Sequence, residues 1–331
     1  MFTAPAVQIG TIEINGMVRR VWRRETPITP RDRIPTMNNT EISWTQLTWN
    51  PMSGCEKIAP ECKHCYAEDL AENKRGTKAF PQGFDLTLRP HKLAEPARLR
   101  APSLIFCNSM SDPGLASLPD DYRARIFDAI DATPRHRYQV LTKRPAALLA
   151  WFKRTGRRLS PSVWMGTTIG HSSRVDQIAA LRGFRDVGAK VLFVSAEPLL
   201  GDLVAAGLRL DGADWLITGG ESGIHASSPT ELATRFLVHR VPGERTGSQG
   251  WAPRPDRIPW VRALRDEADR VGCAHWFKQW GGPRPTSGGR VLDGRTHDGM
   301  PVHIPGAMPE GYIHEIPVHR ADRVRLPLAL E

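Results

Sequence analysis

Residues 138–168 have the sequence YQVLTKRPAALLAWFKRTGRRLSPSVWMGTT. Two short apolar runs, Tyr138–Thr142 and Val163–Thr168, flank the segment Pro145–Arg154, which opens with proline and is rich in alanine and leucine. Proline is favoured at the first position of a helix. Strands that are apolar throughout are typical of a parallel sheet covered on both faces. This stretch therefore predicts a strand, a helix and a second, parallel strand.

The same alternation continues on both sides of this unit. The predicted strands are Ile42–Thr48, Ser103–Asn108, Tyr138–Thr142, Val163–Thr168, Lys190–Ser195, Asp214–Thr218 and His275–Lys278, and the predicted helices are Tyr66–Arg75, Pro119–Ala132, Pro145–Arg154, Arg174–Leu181 and Pro259–Val271. Six or seven such units favour an α/β fold, a partial or complete (β/α) barrel. A doubly wound open sheet is the alternative.

Three segments depart from this alternation. Residues 1–36 contain Pro27, Pro30, Pro35 and scattered arginines without a sustained helix or strand period, which predicts a poorly ordered basic arm. Residues 37–300 form the predicted barrel, and Met37 is an alternative start. Residues 224–257 are rich in Gly, Ser, Pro and Arg and predict an inserted excursion with a short helix around Glu231–His239. Residues 301–331 form a weakly patterned C-terminal extension.

The net charge and hydropathy of the chain indicate which kinds of partner it binds. The chain of 331 residues carries a formal net charge of +10, which favours nucleic acid or a nucleotide-like substrate. Arg-rich proteins that bind no nucleic acid can carry a similar positive charge, which is the alternative explanation. No run of about 18 apolar residues predicts a membrane span. The N-terminal arginines precede no apolar signal core. We therefore expect a cytoplasmic protein that does not bind a membrane.

Three of the five cysteines, Cys55, Cys62 and Cys65, lie in the loop between the first predicted strand and the first helix. In a parallel barrel this loop lies at the C-terminal ends of the strands, where active sites form. A tight cysteine cluster in a cytosolic chain indicates metal binding rather than disulfides. Three thiolates suit an iron–sulfur cluster with one open iron. A structural zinc site completed by His64 or a distant histidine is the alternative.

Polar residues follow nearly every predicted strand. They are Asn108–Asp112, Thr142–Arg144, Thr167–Thr168, Ser195–Glu197, Thr218–Glu221 and Lys278–Gln279. Since the ends of parallel strands share one rim, we expect Lys143, Glu197, Glu221 and Lys278 to face one cavity. Charges in such a place need partners or a ligand. Trp280 beside them is a candidate for stacking on a base.

The sequence resembles the phage-associated three-cysteine-motif proteins, a family distantly similar to radical S-adenosylmethionine enzymes. The resemblance covers about residues 41–300, with the blocks in the same order. Besides the three cysteines, the blocks are Thr48–Pro51, Cys65–Glu68, Asn108–Asp112, Val140–Pro145, Ser195–Gly201, Gly219–Gly223 and Phe277–Gly281. One departure stands out, because six residues separate Cys55 from Cys62 where most radical S-adenosylmethionine enzymes have three.

The resemblance implies a [4Fe–4S] cluster on Cys55, Cys62 and Cys65, S-adenosylmethionine as a second cofactor, an external electron donor such as flavodoxin or ferredoxin, and a partner protein encoded nearby. Strand order, taken with the resemblance, assigns the other site residues. His64 takes the place of an aromatic residue before the third cysteine. Of the groups expected to bind S-adenosylmethionine, Asn108 and Ser109 are assigned to the methionyl amino group, Lys143 or Arg144 to the methionyl carboxylate, Thr167 and Thr168 to the ribose, and Ser195 and Glu197 to the adenine. The residues assigned to the substrate side are Glu221, Lys278 and Gln279.

The function expected from these observations is reductive cleavage of S-adenosylmethionine, followed by hydrogen abstraction from a base in nucleic acid or a nucleotide-derived group. One alternative is a radical S-adenosylmethionine enzyme acting on a small metabolite or a peptide. The other is a zinc-stabilised nucleic-acid-binding protein without catalysis.

Overall fold

The structure is a computed structural model that describes residues 6–14, 17–24, 38–40, 42–223, 228–242, 250–285 and 287–308. The chain divides into two units, residues 1–36 and residues 37–331.

The first unit contains a β-hairpin. Strand β1 (Ala6–Ile14) pairs antiparallel with β2 (Met17–Arg24), with a shift of register between Gln8 and Gly10. This hairpin differs from the predicted arm without a strand period. The sequence between the strands is Asn15-Gly16, and Asn-Gly is a strongly preferred pair for a two-residue hairpin loop. The remainder of the arm lies outside the described residues.

The second unit contains the following elements. The strands are β3 (Asn38–Asn39), β4 (Leu47–Trp49), β5 (Met52–Ser53), β6 (Thr87–Leu88), β7 (Leu104–Cys107), β8 (Arg137–Thr142), β9 (Val163–Thr168), β10 (Val191–Ala196), β11 (Trp215–Gly219), β12 (Val238–Arg240), β13 (Trp251–Pro253) and β14 (Ala274–Gln279), and the helices are α1 (Tyr66–Glu72), α2 (Glu95–Arg98), α3 (Asp120–Asp131), α4 (Pro145–Thr155), α5 (Gln177–Arg182), α6 (Pro229–Arg235) and α7 (Ile258–Val271).

The main sheet runs in the order β14-β11-β10-β9-β8-β7-β4-β3. Its seven strands from β4 to β14 are parallel, and β3 pairs antiparallel with β4 at one edge. Among the described residues β14 does not pair back onto β3 or β4, so the sheet is an open, curled half-barrel. The predicted partial barrel is confirmed. The doubly wound alternative is wrong, because the strands follow one another in chain order.

Both faces of this sheet are buried, which explains the unbroken apolar strands. The inner face carries a cluster of large aromatic side chains: Trp44, Phe106, Trp164, Phe193, Trp215 and Trp276. Gly166 makes room for this cluster, since a Cβ there would lie 2.3 Å from the Phe193 ring. Residues near 300–308 also pack against it, and the Trp164 indole donates to the carbonyl of Ala307 at 3.0 Å.

The inserted excursion is partly regular. Helix α6 begins with a capping box in which the Ser228 hydroxyl and the Glu231 carboxylate each accept a backbone N–H of the other residue, and the helix ends at Arg235, before the predicted end at His239. Strands β12 and β13 then pair antiparallel. No helix in the described part of the chain has the length and apolar character needed to cross a bilayer.

Candidate functional site

A cavity of about 1890 Å³ opens at the C-terminal ends of the parallel strands. Most of the side chains singled out from the sequence line it: Cys55, Cys62, His64, Cys65, Asn108, Ser109, Lys143, Thr168, Ser195, Glu197, Glu221, Lys278 and Gln279. Arg144 and Thr167 are not among the lining residues. The structure thus brings the expected strand ends to one place, while the role of each residue stays a prediction.

The cysteine loop follows β4 and ends where α1 begins, with Cys65 directly before the helix. At its start, Gly54 has a φ of 91°, and a Cβ there would lie 2.3 Å from the carbonyl oxygen of Asp85. Only glycine meets both conditions without strain. The neighbouring Cys55 N–H donates to the carbonyl of Phe84 at 3.3 Å. The loop is therefore seated closely on the segment that follows α1.

The three thiols lie on one side of the cavity. Cys62 is buried, and the half-buried Cys55 and Cys65 pack against the same small apolar cluster around α1. Burial raises the pKa of the Cys55 thiol to about 11, Asp112 adds to this, and Arg144 opposes it. A guanidinium nitrogen of Arg144 lies 3.7 Å from the Cys55 sulfur. Burial therefore favours the protonated thiol at Cys55, and a metal bound there would have to displace this proton.

The three thiols form a soft donor set, of the kind that suits zinc or an iron–sulfur cluster. Within the described residues no three His, Cys, Asp or Glu side chains are grouped so that they could hold a metal ion. A four-iron cluster binds each cysteine through a different iron, so three cysteines leave one iron open. Cys55, Cys62 and Cys65 line one cavity and are the residues that would hold such a cluster.

Asp112 organises the rim beside the cysteine loop. Its buried carboxylate accepts the Thr142 hydroxyl at 2.5 Å and the Lys143 N–H at 2.8 Å, and it pairs with Arg144 at 3.2 Å. Arg144 also donates to the carbonyl of Glu56 at 2.8 Å. The guanidinium is thus directed to the cysteine loop and not into the cavity, which leaves Lys143 as the cation of this pair that lines it. Sequence reasoning placed Asp112 among the polar residues that follow a strand but assigned it no role.

Thr167 is likewise turned away from the cavity. Its hydroxyl donates to the carbonyl of Thr142 at 2.9 Å within the sheet. Successive residues of a strand point to opposite faces. Thr168 therefore lines the cavity, and the expectation that Thr167 does so is corrected.

Asn108 and Lys143 are among the polar residues of the cavity whose side chains have no partner in the described part of the chain. Asn108 is 3% exposed, has a φ of 64°, and neither its amide nitrogen nor its amide oxygen is bonded. The ammonium of Lys143 forms no ion pair there. Next to Asn108, Ser109 is held by the Asn50 side chain at 3.0 Å, and its carbonyl accepts the Tyr66 hydroxyl at 2.7 Å. Buried polar groups without partners are rare, so Asn108 points to a ligand, whereas Lys143 is only half-buried.

The opposite side of the cavity contains two ion pairs. Lys278 pairs with Glu197. Glu221 accepts two hydrogen bonds from Arg235, at 2.6 and 2.8 Å, and both side chains are largely buried. Gln279 is buried and donates to the carbonyl of Gly220 at 3.3 Å.

The inserted helix α6 therefore contacts the cysteine loop directly. Besides Glu221, Arg235 donates to the carbonyl of Pro60 at 2.8 Å. One turn earlier, Glu231 pairs with Lys63 and lies 3.8 Å from the His64 ring nitrogen. Sequence reasoning missed Arg235, because it treated residues 224–257 as an excursion without a role in the site.

Trp280 does not stack on a base. It is 2% exposed, packs edge-on against Phe277, and its indole N–H donates to the carbonyl of Val291 at 2.9 Å. The expectation of a stacking role is wrong, since the ring belongs to the core.

Comparison with known proteins gives the family. The family model described as "Protein of unknown function (DUF5131)" matches residues 39–233 and 242–301, so the chain belongs to that family. Among solved structures, spore photoproduct lyase complexed with dinucleoside spore photoproduct is similar at 13% identity and a TM-score of 0.45, over 76% of this chain and 80% of that one. A mutant of that lyase with bound AdoMet and dinucleoside spore photoproduct is similar at 14% identity and a TM-score of 0.43, over 74% and 79%. The search of curated proteins finds no match.

Proposed function

We propose that this member of the family is a radical S-adenosylmethionine enzyme. In this proposal Cys55, Cys62 and Cys65 hold a four-iron cluster, and the substrate is a base in nucleic acid or a nucleotide-derived group. The observation that carries the proposal is the position of the three-cysteine loop, at the mouth of a half-barrel whose cavity also contains the unpartnered Asn108 and Lys143. The order of sequence blocks described above gives the same class.

Cys55, Cys62 and Cys65 would hold the cluster, which when bound would supply the one-electron reduction needed for cleavage of S-adenosylmethionine and for hydrogen abstraction from the substrate. The chain's own residues bind and orient. Lys143 supplies a positive charge for the methionyl carboxylate, and the amide oxygen of Asn108 accepts from the amino group. Thr168 and Ser195 offer hydroxyls further along the rim. Helix α6 covers the cysteine loop and limits the access of water.

The charge distribution supports a nucleic-acid substrate. Besides the net charge of +10, the exposed side chains of Lys74 and Lys78 line the cavity and form no ion pair in the described residues. Free lysines at a rim attract phosphates, and their contribution falls as salt is added. Further in, Lys278 and Glu197 offer a donor and an acceptor to the edge of a base.

Anaerobic purification and reconstitution test this function. We expect iron and sulfide at about four per chain, and 5′-deoxyadenosine after reduction in the presence of S-adenosylmethionine. A variant with Cys55, Cys62 and Cys65 replaced by alanine should lose both. Stoichiometric zinc without iron after reconstitution, or a full cluster without any 5′-deoxyadenosine, would contradict the proposal.

Lys143 can be tested separately. Lys143→Met should keep the cluster and weaken the binding of S-adenosylmethionine by roughly 10-fold or more, as expected for the loss of a hydrogen bond from a charged donor. The matched control is Lys153→Met, on the exposed side of α4, where the lysine pairs with Asp186. The proposal for Lys143 fails if both variants bind the ligand alike.

A further inference from the structure

Glu61 is a buried carboxylate in the cysteine loop to which neither the sequence motifs nor the resemblance assigns a role. It lies in the stretch between Cys55 and Cys62, within a short 3-10 turn over Pro60–Cys62. Its side chain is 5% exposed and lines the cavity. Acidic side chains this buried are rare unless they are paired.

One carboxylate oxygen of Glu61 accepts two backbone hydrogen bonds. Oε1 accepts the N–H of Gly170 at 2.7 Å and of His171 at 3.0 Å, both just after β9. The close packing fixes this contact, because a Cβ on Gly170 would lie 2.8 Å from Cγ of Glu61 and 2.1 Å from the carbonyl oxygen of Pro198. The orientation of the carboxylate is therefore set by the fold.

The other oxygen, Oε2, has no hydrogen-bond partner in the described residues although it is shielded from solvent. No cation of the described chain forms an ion pair with Glu61. A buried carboxylate oxygen without a donor is costly, and its cost is removed when a ligand supplies one.

The position of Oε2 indicates which donor this is. A carboxylate only accepts hydrogen bonds, so the ligand must bring N–H or O–H groups. Oε2 belongs to the rim after β9, together with the Thr168 hydroxyl, whereas Asn108 and Lys143 follow β7 and β8. A ligand that places its amino-acid end at Asn108 and Lys143 brings its middle part to β9. In S-adenosylmethionine that part is a ribose, whose two neighbouring hydroxyls are donors.

We propose that Oε2 of Glu61 accepts hydrogen bonds from the ribose hydroxyls of bound S-adenosylmethionine. This inference rests on the proposed function. The proposal also assigns a role to the long spacing between Cys55 and Cys62, because the residues in that spacing place a carboxylate in the cofactor site.

The test uses Glu61→Gln in the reconstituted full-length protein. The glutamine oxygen can still accept from Gly170 and His171, while at Oε2 a neutral NH₂ donor replaces the charged acceptor, so the charge-assisted bond from a ribose hydroxyl is lost and only a weaker bond of reversed direction can form. Calorimetry measures the affinity for S-adenosylhomocysteine and for its 2′,3′-dideoxyribose analogue. We expect the variant to bind S-adenosylhomocysteine roughly 10- to 100-fold more weakly than the wild type. The analogue should bind both proteins with similar affinity.

A buried glutamate outside the cavity provides the control. Glu267 on α7 is 6% exposed, accepts the N–H of Leu210 at 2.8 Å and pairs with Arg270 at 2.8 Å, so Glu267→Gln also removes a buried negative charge, here from a paired carboxylate that does not line the cavity. It should leave both affinities unchanged. Equal affinity of wild type and Glu61→Gln for S-adenosylhomocysteine, or an equal loss for both ligands, would overturn the inference and leave the proposed function standing. Failure of the cluster-loaded wild type to bind S-adenosylhomocysteine would overturn both.

Discussion

Replacing Arg235 with methionine tests whether the inserted helix holds the cysteine loop in place. The substitution keeps the aliphatic stem and removes the guanidinium. Glu221, whose side chain is 4% exposed, then stays buried without its partner. Breaking a buried pair in this way costs about 3–5 kcal/mol. The carbonyl of Pro60 also loses its donor, at about 1 kcal/mol.

The expected loss of stability is therefore about 4–6 kcal/mol for Arg235→Met. At about 2–4 °C for each kcal/mol, the melting temperature should fall by roughly 8–24 °C. Thermal unfolding followed by circular dichroism measures this. Glu221→Gln combined with Arg235→Met should recover most of the loss, because no charge is then left buried alone.

Arg154→Met is the control, since Arg154 pairs with Asp120 on an exposed face. Its melting temperature should stay close to that of the wild type. If Arg235→Met melts like Arg154→Met, the pair with Glu221 does not hold α6 on the loop. The reasoning fails too if the double variant is no more stable than Arg235→Met alone.

Four further predictions concern other parts of the chain. Gly166→Ala should destabilise the protein by about 1–3 kcal/mol in denaturant titrations, because the new Cβ meets an aromatic ring at 2.3 Å, while Gly201→Ala, with open space around it, should change little. Lys278→Met should keep the cluster content and the cleavage of S-adenosylmethionine without substrate but lower substrate turnover, so unchanged turnover would contradict its placement on the substrate side. Burial lowers the pKa of His275 to about 3, so its contribution to stability is complete above pH 6.5 and is lost as pH falls towards 3. The free energy of unfolding should fall by up to about 1.4 kcal/mol for each pH unit in this range. His275→Asn should flatten this fall between pH 6.5 and 5. A protein that starts at Met37 should keep the melting temperature of the full chain, because residues 1–36 form a separate unit, and a drop of many degrees would contradict this.

The strands could be predicted from the sequence because each apolar run depends only on residues that are close together along the chain. Seven apolar runs separated by helical segments allow few arrangements other than a parallel sheet. The alternation of side chains along each strand also predicts which residues at the strand ends face the cavity, and the sequence predictions did not apply it there. Trp164, Gly166 and Thr168 share the inner face of β9 because side chains alternate along a strand. Applied to strand ends, this period of two separates Thr168 from Thr167, and Lys143 from Arg144.

The contacts that complete the site could not be read from the sequence. Arg235 meets Pro60 across 175 residues, and Glu61 meets Gly170 across 109. Such pairs depend on how loops from different strands cross the rim, and neither composition nor periodicity specifies this crossing. Glu61 and Arg235 gave no local signal, since a charged residue in a loop or at the end of a helix is ordinarily solvated. Their importance follows only from burial in the folded protein.

The spacing of the cysteines has a geometric explanation in this fold. In the order β4-β7-β8-β9, the cysteine loop begins after β4 and reaches the backbone after β9, three strands away. At about 4.8 Å between neighbouring strands, this distance is roughly 14 Å. The loop covers this distance with the twelve residues 50–61, and an extended chain of that length reaches about 40 Å. Of the six residues between Cys55 and Cys62, Glu61 stands directly before Cys62 and is buried against the backbone after β9. The longer spacing therefore supplies the residue through which the loop binds β9 next to one of its cysteines.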